Sequence, residues 1–305
     1  MVSRESAFLL NNVLLVAATF TVFFGTVFPL LSEAVRGVKV SVGAPFFNQV
    51  NVPLFLGLIF LMGVGPLIAW RRASADNLRR NFVWPVAIGV VSAAVFFALG
   101  VRSVVAGFTL ALTVFVAATI GVDYVRATRP RRRMGERLLP AMGGLLVRHN
   151  RRYGGFVIHL GILIIAVGIT GSQAWSVQRE ATVKRGEAVE LAGYRFRFDG
   201  LAARENGNHF LVESTFNVTN GGTVARTLKP ANKFYPQEQS PIAHVDYHLG
   251  LVDDLYLVLG DFARDGTQAT VKVQVNRMVS WIWIGGFVLT LGAALAILPE
   301  RKKPA

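Results

Sequence analysis

The chain contains no cysteine. Disulfides, thiolate metal sites and cysteine nucleophiles are therefore excluded, and the absence fits either redox compartment. Acidic residues are scarce: 18 Asp and Glu stand against 32 Lys and Arg, a formal charge of +14. There is no Walker loop, no G-x-S-x-G elbow and no H-E-x-x-H zinc motif. A proton path through a membrane needs more buried acids than this chain offers. Charged residues make up only 16% of the 305 positions while 52% are hydrophobic. A soluble protein of this length is usually less apolar.

The apolar residues fall into runs. A spanning helix needs about 20 of them, and six stretches qualify or nearly so: roughly 8–31, 52–70, 82–99, 103–125, 154–175 and 279–298. Pro85 lies near the start of the third, where proline is tolerated. The first run is too long for the 7–15-residue core of a signal peptide and reads as an uncleaved anchor, despite the Ser32-Glu33-Ala34 site.

Lys and Arg in short loops set orientation. The 71–81 loop carries Arg71, Arg72, Arg79 and Arg80. The 126–153 loop carries Arg126, Arg129, Arg131, Arg132, Arg133, Arg137, Arg148, Arg151 and Arg152. With Arg4 and the tail residues Arg301, Lys302 and Lys303, one side holds 17 basic residues; the other short loops hold three, Arg36, Lys39 and Arg102. That asymmetry places both termini, including the 299–305 tail, in the cytoplasm. The basic loops read as topology signals and lipid-headgroup contacts. A nucleic-acid patch would need interleaved aromatics, which are absent.

Residues 176–278 change character. "YRFRFDG" (Tyr194–Gly200) alternates strictly, and "HFLVESTFNVTNGGTVARTL" reads as strand, Asn220-Gly221-Gly222 turn, strand. "DDLYLVLGDFARDGTQATVKVQV" repeats the pattern around Asp265-Gly266, and "LKPANKFYPQEQSP" marks an irregular loop. The expected fold is therefore a membrane α-helical protein of about six transmembrane helices with an inserted extracytoplasmic all-β domain, a small barrel or sandwich. In a Gram-negative cell that domain is periplasmic. Spans one to five then occupy residues 1–175, and span six 279–298.

Five histidines are present. His159 lies in the apolar "RRYGGFVIHLGILIIAVGITGSQAW" (Arg151–Trp175), about 7–8 Å inside the cytoplasmic boundary if Gly154 begins the span. Intramembrane ionisable groups tend to be functional, but spacing alone leaves two readings: a metal or haem ligand, or a neutral imidazole bonded to a neighbouring helix. Gly155, Gly161 and Gly168 flank it, and small residues admit either a helix or a flat macrocycle. A haem held here needs a second axial ligand. His149 reads as solvated and His209 as a strand start. His244 and His248 flank Asp246 in "AHVDYHLG"; in one strand they lie about 13 Å apart, too far for one ion. Asp253-Asp254 and Glu238 read as external rim features, and Asp123 as a partner for nearby arginines. Trp175, Trp281 and Trp283 fall where tryptophan anchors helices at the interface.

Several strings resemble the CcmF/NrfE family of cytochrome c-type haem lyase subunits: "SRESAFLLNNVLLVAATFTVFFGTVFPLL", "GAPFFNQVNVPLFLGLIFLMGVGPLIAWRR", the His159 helix, "DLYLVLGDF" and "VNRMVSWIWIGGFVLTLGAALAILPER". The resemblance reaches nearly the whole chain. It implies work in cytochrome c maturation, where haem is attached covalently to an apocytochrome c. It implies a membrane haem b, thought to reduce the incoming haem, with His159 matching one axial ligand. The implied partners are a periplasmic haem chaperone, apocytochrome c and thiol-handling lyase subunits. The family's tryptophan-rich WWD region and its flanking histidines have no counterpart here. The resemblance is thus to the C-terminal half, with an N-terminal WWD-bearing half expected on a partner chain or on a longer version of this one. A cofactor-free membrane scaffold presenting the β domain is the alternative. A transporter ranks last, because spans one to three and four to six show no repeat.

Overall fold

The computed structural model describes residues 4–65, 75–221, 223–238 and 240–299. Arg71, Arg72, Arg301, Lys302, Lys303 and Gly222, which the sequence reading used, lie outside the described residues. The helices are α1 (Arg4–Arg36), α2 (Ala44–Val64), α3 (Ala75–Ala98), α4 (Val104–Arg133), α5 (Leu138–Arg148), α6 (Asn150–Trp175) and α7 (Val279–Ile297). Six of them, all but α5, are long and apolar enough to cross a membrane. Between α6 and α7 the chain forms β1 (Val177–Lys184), β2 (Ala188–Leu191), β3 (Tyr194–Asn206), β4 (His209–Asn220) and β5 (Thr223–Leu228). It continues through β6 (Ala231–Phe234), β7 (Ile242–His244), β8 (Asp246–His248), β9 (Asp253–Phe262) and β10 (Gln268–Arg277). The chain divides into two compact units, one of residues 1–167 with 285–305, the other of residues 168–284.

In the helical unit α4 is the packing hub. Leu112, Phe115 and Val116 of α4 bury with Ile59 of α2 and Leu163 of α6. A second cluster joins Leu145 of α5 to Tyr153 and Phe156 of α6, against Tyr124 and Ala127 of α4. Gly63 and Gly89 let α2 and α3 close on Phe115; a Cβ at either would sit 3.1 Å from its side chain. The outward faces of α1 and α3 expose Phe20, Phe23, Trp84 and Val90. Lipid, as apolar as these side chains, accepts such faces without penalty. Basic residues close α4, where Arg131, Arg132 and Arg133 complement the helix dipole.

The β unit is a sandwich, which resolves the barrel-or-sandwich expectation. One sheet runs β1-β10-β9-β8 and the other β2-β3-β4-β6-β7, with β5 also paired to β4. Every pairing is antiparallel. Period-two alternation sends Leu255, Leu257 and Leu259 inward from β9, and Val271, Val273 and Val275 from β10. Phe196, Phe198, Phe216 and Val218 meet them from the facing sheet. Outward partners are polar, as in the Thr182–Thr270 bond of 2.8 Å and the Gln274–Gln178 bond of 3.1 Å.

Candidate functional site

Glycines define one face of α6. A Cβ at Gly161 would lie 2.6 Å from the Leu289 amide nitrogen and 2.7 Å from the Gly285 carbonyl oxygen. One at Gly154 would meet the Ala296 nitrogen at 2.8 Å. From α7, a Cβ at Gly292 would lie 2.6 Å from the Ile158 nitrogen. In the other unit Gly168 repeats the contact, 2.9 Å from the Ile282 nitrogen. The glycines recur every seven residues, the repeat of a left-handed helix pair. Only hydrogen at these positions lets two backbones come so near. Of the two occupants that small residues admit, α7 is the one found at Gly161 and Gly168.

His159 lies about 140–180° around the helix from those glycines, at 3.6 residues per turn. Its side chain is half-buried, with its ring 6.4 Å from that of Phe156. Nδ1 is enclosed and has no hydrogen-bond partner among the described residues. An enclosed polar atom left unpaired costs about 1–3 kcal/mol. The bonded-imidazole reading therefore has no bond at this nitrogen to rest on. Gly155, one turn away on the same face, has nothing within 4 Å of a built Cβ. Enclosed as it is, Nδ1 is out of reach of an iron, so a haem held here would bind through the other ring nitrogen, Nε2; an imidazole in apolar surroundings with open space beside it fits that role. This chain would offer that one ligand at most: among the described residues, no three His, Asp or Glu side chains are grouped to hold a metal ion.

The remaining candidates are dispersed. His149 is exposed at the C-cap of α5. His209 opens β4 and stacks on Tyr235 at 5.0 Å. His244 and His248 were expected on one strand; the chain instead breaks at Val245, and β7 and β8 join different sheets. Between them Asp246 accepts the Lys229 amide at 2.6 Å and the Tyr247 amide at 2.8 Å, a loop-shaping role. Both carboxylate oxygens of Asp123 accept from Arg152 Nη2, at 2.7 and 2.9 Å. Glu238 is exposed in a turn.

Asp253 and Asp254 diverge, as neighbours in a strand must. Asp253 pairs with Arg277 at 3.3 Å and accepts the Tyr194 hydroxyl at 3.3 Å. Burial, and then the Asp253 charge, raise the Tyr194 pKa above its ordinary value. Asp254 accepts the Gly250 amide at 2.8 Å and the Ser280 hydroxyl at 3.4 Å. Trp281 Nε1 donates to the Leu251 carbonyl at 3.0 Å, and the Met278 amide to the Val252 carbonyl at 2.7 Å. Sequence reasoning missed this tie between the 250–254 loop and α7. The signal was the β9–β10 register, which sets Asp253 opposite Arg277.

Residues 174–277 match a family model described as the CcmF C-terminal beta-sandwich. The chain is 35% identical over 304 residues to the cytochrome c-type biogenesis protein CcmF of Pseudomonas aeruginosa, across 99% of this chain and 45% of that protein. Against CcmF of Escherichia coli the identity is 30% over 306 residues, 99% and 44% of the two chains. A solved structure titled cytochrome c haem lyase CcmF gives a TM-score of 0.71 at 31% identity, covering 98% of this chain and 46% of that one. The chain thus spans a little under half the length of the relatives it matches.

Proposed function

This chain belongs with the CcmF/NrfE proteins, whose C-terminal half it matches along its length, and from that premise we propose that it is the C-terminal part of a haem lyase subunit in cytochrome c maturation. It helps attach haem covalently to apocytochrome c, together with the WWD-bearing N-terminal half. His159 supplies one axial ligand to a haem b within the membrane, and the N-terminal half supplies the other. Bound there, haem b supplies one-electron redox chemistry for reducing the haem to be attached.

The protein's own contribution is positioning. The α7 seam fixes the rotational setting of α6 and hence the direction of the imidazole. Gly155 keeps the neighbouring surface open, and the apolar clusters around Phe156 and Leu163 exclude water from the helix above and below. The sandwich is the periplasmic docking platform for the haem chaperone, apocytochrome c and thiol-handling subunits. The arginines of α4 and of the chain between α4 and α6 keep that part, with both termini, on the cytoplasmic side of the inner membrane.

The observation that carries this reading is a lone, half-buried imidazole, His159, one turn from the open Gly155 surface of an apolar helix, in a chain 99% of which aligns with CcmF of Pseudomonas aeruginosa. The test is an optical spectrum of the membrane complex purified with its N-terminal partner. The unaltered complex shows a b-type spectrum, and His159→Ala abolishes or shifts it while both chains still co-purify. A full b-type spectrum in the variant removes the ligand role. A complex that never contains haem leaves a cofactor-free scaffold presenting the sandwich.

A further inference from the structure

We propose that the Leu249–Val252 loop inserts into the headgroup–acyl boundary of the bilayer beside α7, making the lipid surface itself a binding partner of the β-sandwich. Three of its four residues are large and apolar, and their side chains point out of the sandwich: Leu249 is 60% exposed, Leu251 71% and Val252 58%. The core takes its leucines from the next strand, at Leu255, Leu257 and Leu259. An exposed apolar cluster between β8 and β9 is a contact surface without its contact.

The depth of the loop is set by α7. That helix has 19 residues, a length of about 28 Å at 1.5 Å per residue, which matches the hydrocarbon thickness of about 30 Å. Its first turn therefore sits at the hydrocarbon boundary, where Trp281 and the 77% exposed Trp283 form an interfacial anchor. The loop is bonded to that turn through Trp281 to the Leu251 carbonyl, and to the residue before it through Met278 to the Val252 carbonyl. Those bonds do a second job. Hydrocarbon supplies no hydrogen bonds, so each backbone group already satisfied within the protein lowers the cost of placing the loop near it. Two carbonyls of the loop are satisfied, one by Trp281 of α7 and one by Met278 just before it, and the Gly250 amide is satisfied by Asp254.

The absence of cysteine from the chain makes the test clean. Leu251→Cys, and separately Leu249→Cys, carry a polarity-sensitive fluorophore on the full chain reconstituted in phosphatidylcholine–phosphatidylglycerol vesicles. Arg264→Cys is the reference, at the opposite end of β9, about 30 Å away along a ten-residue strand. The expected result is a blue-shifted emission at 249 and 251, quenched severalfold more than at 264 by lipids spin-labelled near the headgroup and protected from aqueous iodide. Quenching by iodide equal to that at 264, with none by the labelled lipids, overturns the proposal. Protection from both quenchers also overturns it, because the loop is then covered by protein.

Discussion

Replacing Gly161 with alanine tests the seam between α6 and α7. The added methyl carbon would lie 2.6 Å from one backbone atom of α7 and 2.7 Å from another, where ordinary contact begins at 3.4 Å. Backbone cannot rotate aside, so the helices must part by about 0.8 Å, and a gap of that size forfeits about a quarter to a half of each contact's attraction. Overpacking of this kind costs about 1–3 kcal/mol. Alanine is also a better helix former than glycine by up to about 1 kcal/mol, which offsets part of the loss. Gly155→Ala isolates the two effects, since nothing lies within 4 Å of its built Cβ. That variant gains the propensity without the clash. Unfolding titrations in mixed detergent micelles with increasing dodecyl sulfate give both stabilities. The expected outcome is Gly161→Ala below the parent, Gly155→Ala at or above it, and a gap of about 1–3 kcal/mol between them. Equal stabilities for the two variants would refute close backbone contact.

Other perturbations probe the sandwich and the topology. Phe216, fully buried and 5.2 Å from Phe198, should cost about 3–5 kcal/mol on truncation to alanine; a thermal melt that falls no further than for the exposed Phe210→Ala contradicts the assigned core. Tyr194 has a raised pKa, so its contribution is intact below its unfolded value near 10 and is lost as pH climbs through the folded value. Tyr194→Phe should flatten that alkaline loss in a melt series from pH 8 to 11, and an unchanged profile excludes the effect. Cysteine at Arg264 should react with a membrane-impermeant maleimide in intact spheroplasts, and cysteine at Arg137 only after permeabilisation. The reverse pattern inverts the topology.

Apolar runs marked the spans because hydrocarbon thickness imposes their length, but they understated the helices. α1 extends from Arg4 to Arg36 and α4 to Arg133, since arginine continues a helix readily and its charge can snorkel beyond the apolar zone. α5 went unseen because Pro140, Gly143 and Gly144 and the arginines around it masked a short apolar segment. Its existence rests on tertiary contact, with Leu145 packed against Tyr153 and Phe156. Alternation revealed β9 and β10, where one face is buried throughout. It could not reveal the break at Val245, which is a change of pairing partner and has no local signature. The seven-residue glycine spacing is visible within each helix. Which glycine faces which is a property of an antiparallel match, and no single segment contains it. His159 was conspicuous as a lone imidazole; the state of its Nδ1 depends on neighbours that only the fold assembles.

The glycine clasp has a directional corollary. Backbone pressed on backbone leaves no slack for α6 to retreat or swivel, so the half-buried imidazole is held on the side of α6 turned away from α7. Whatever comes to that ring must conform to its placement, and the adjustment required for a good fit falls on the visitor and on the surface that brings it.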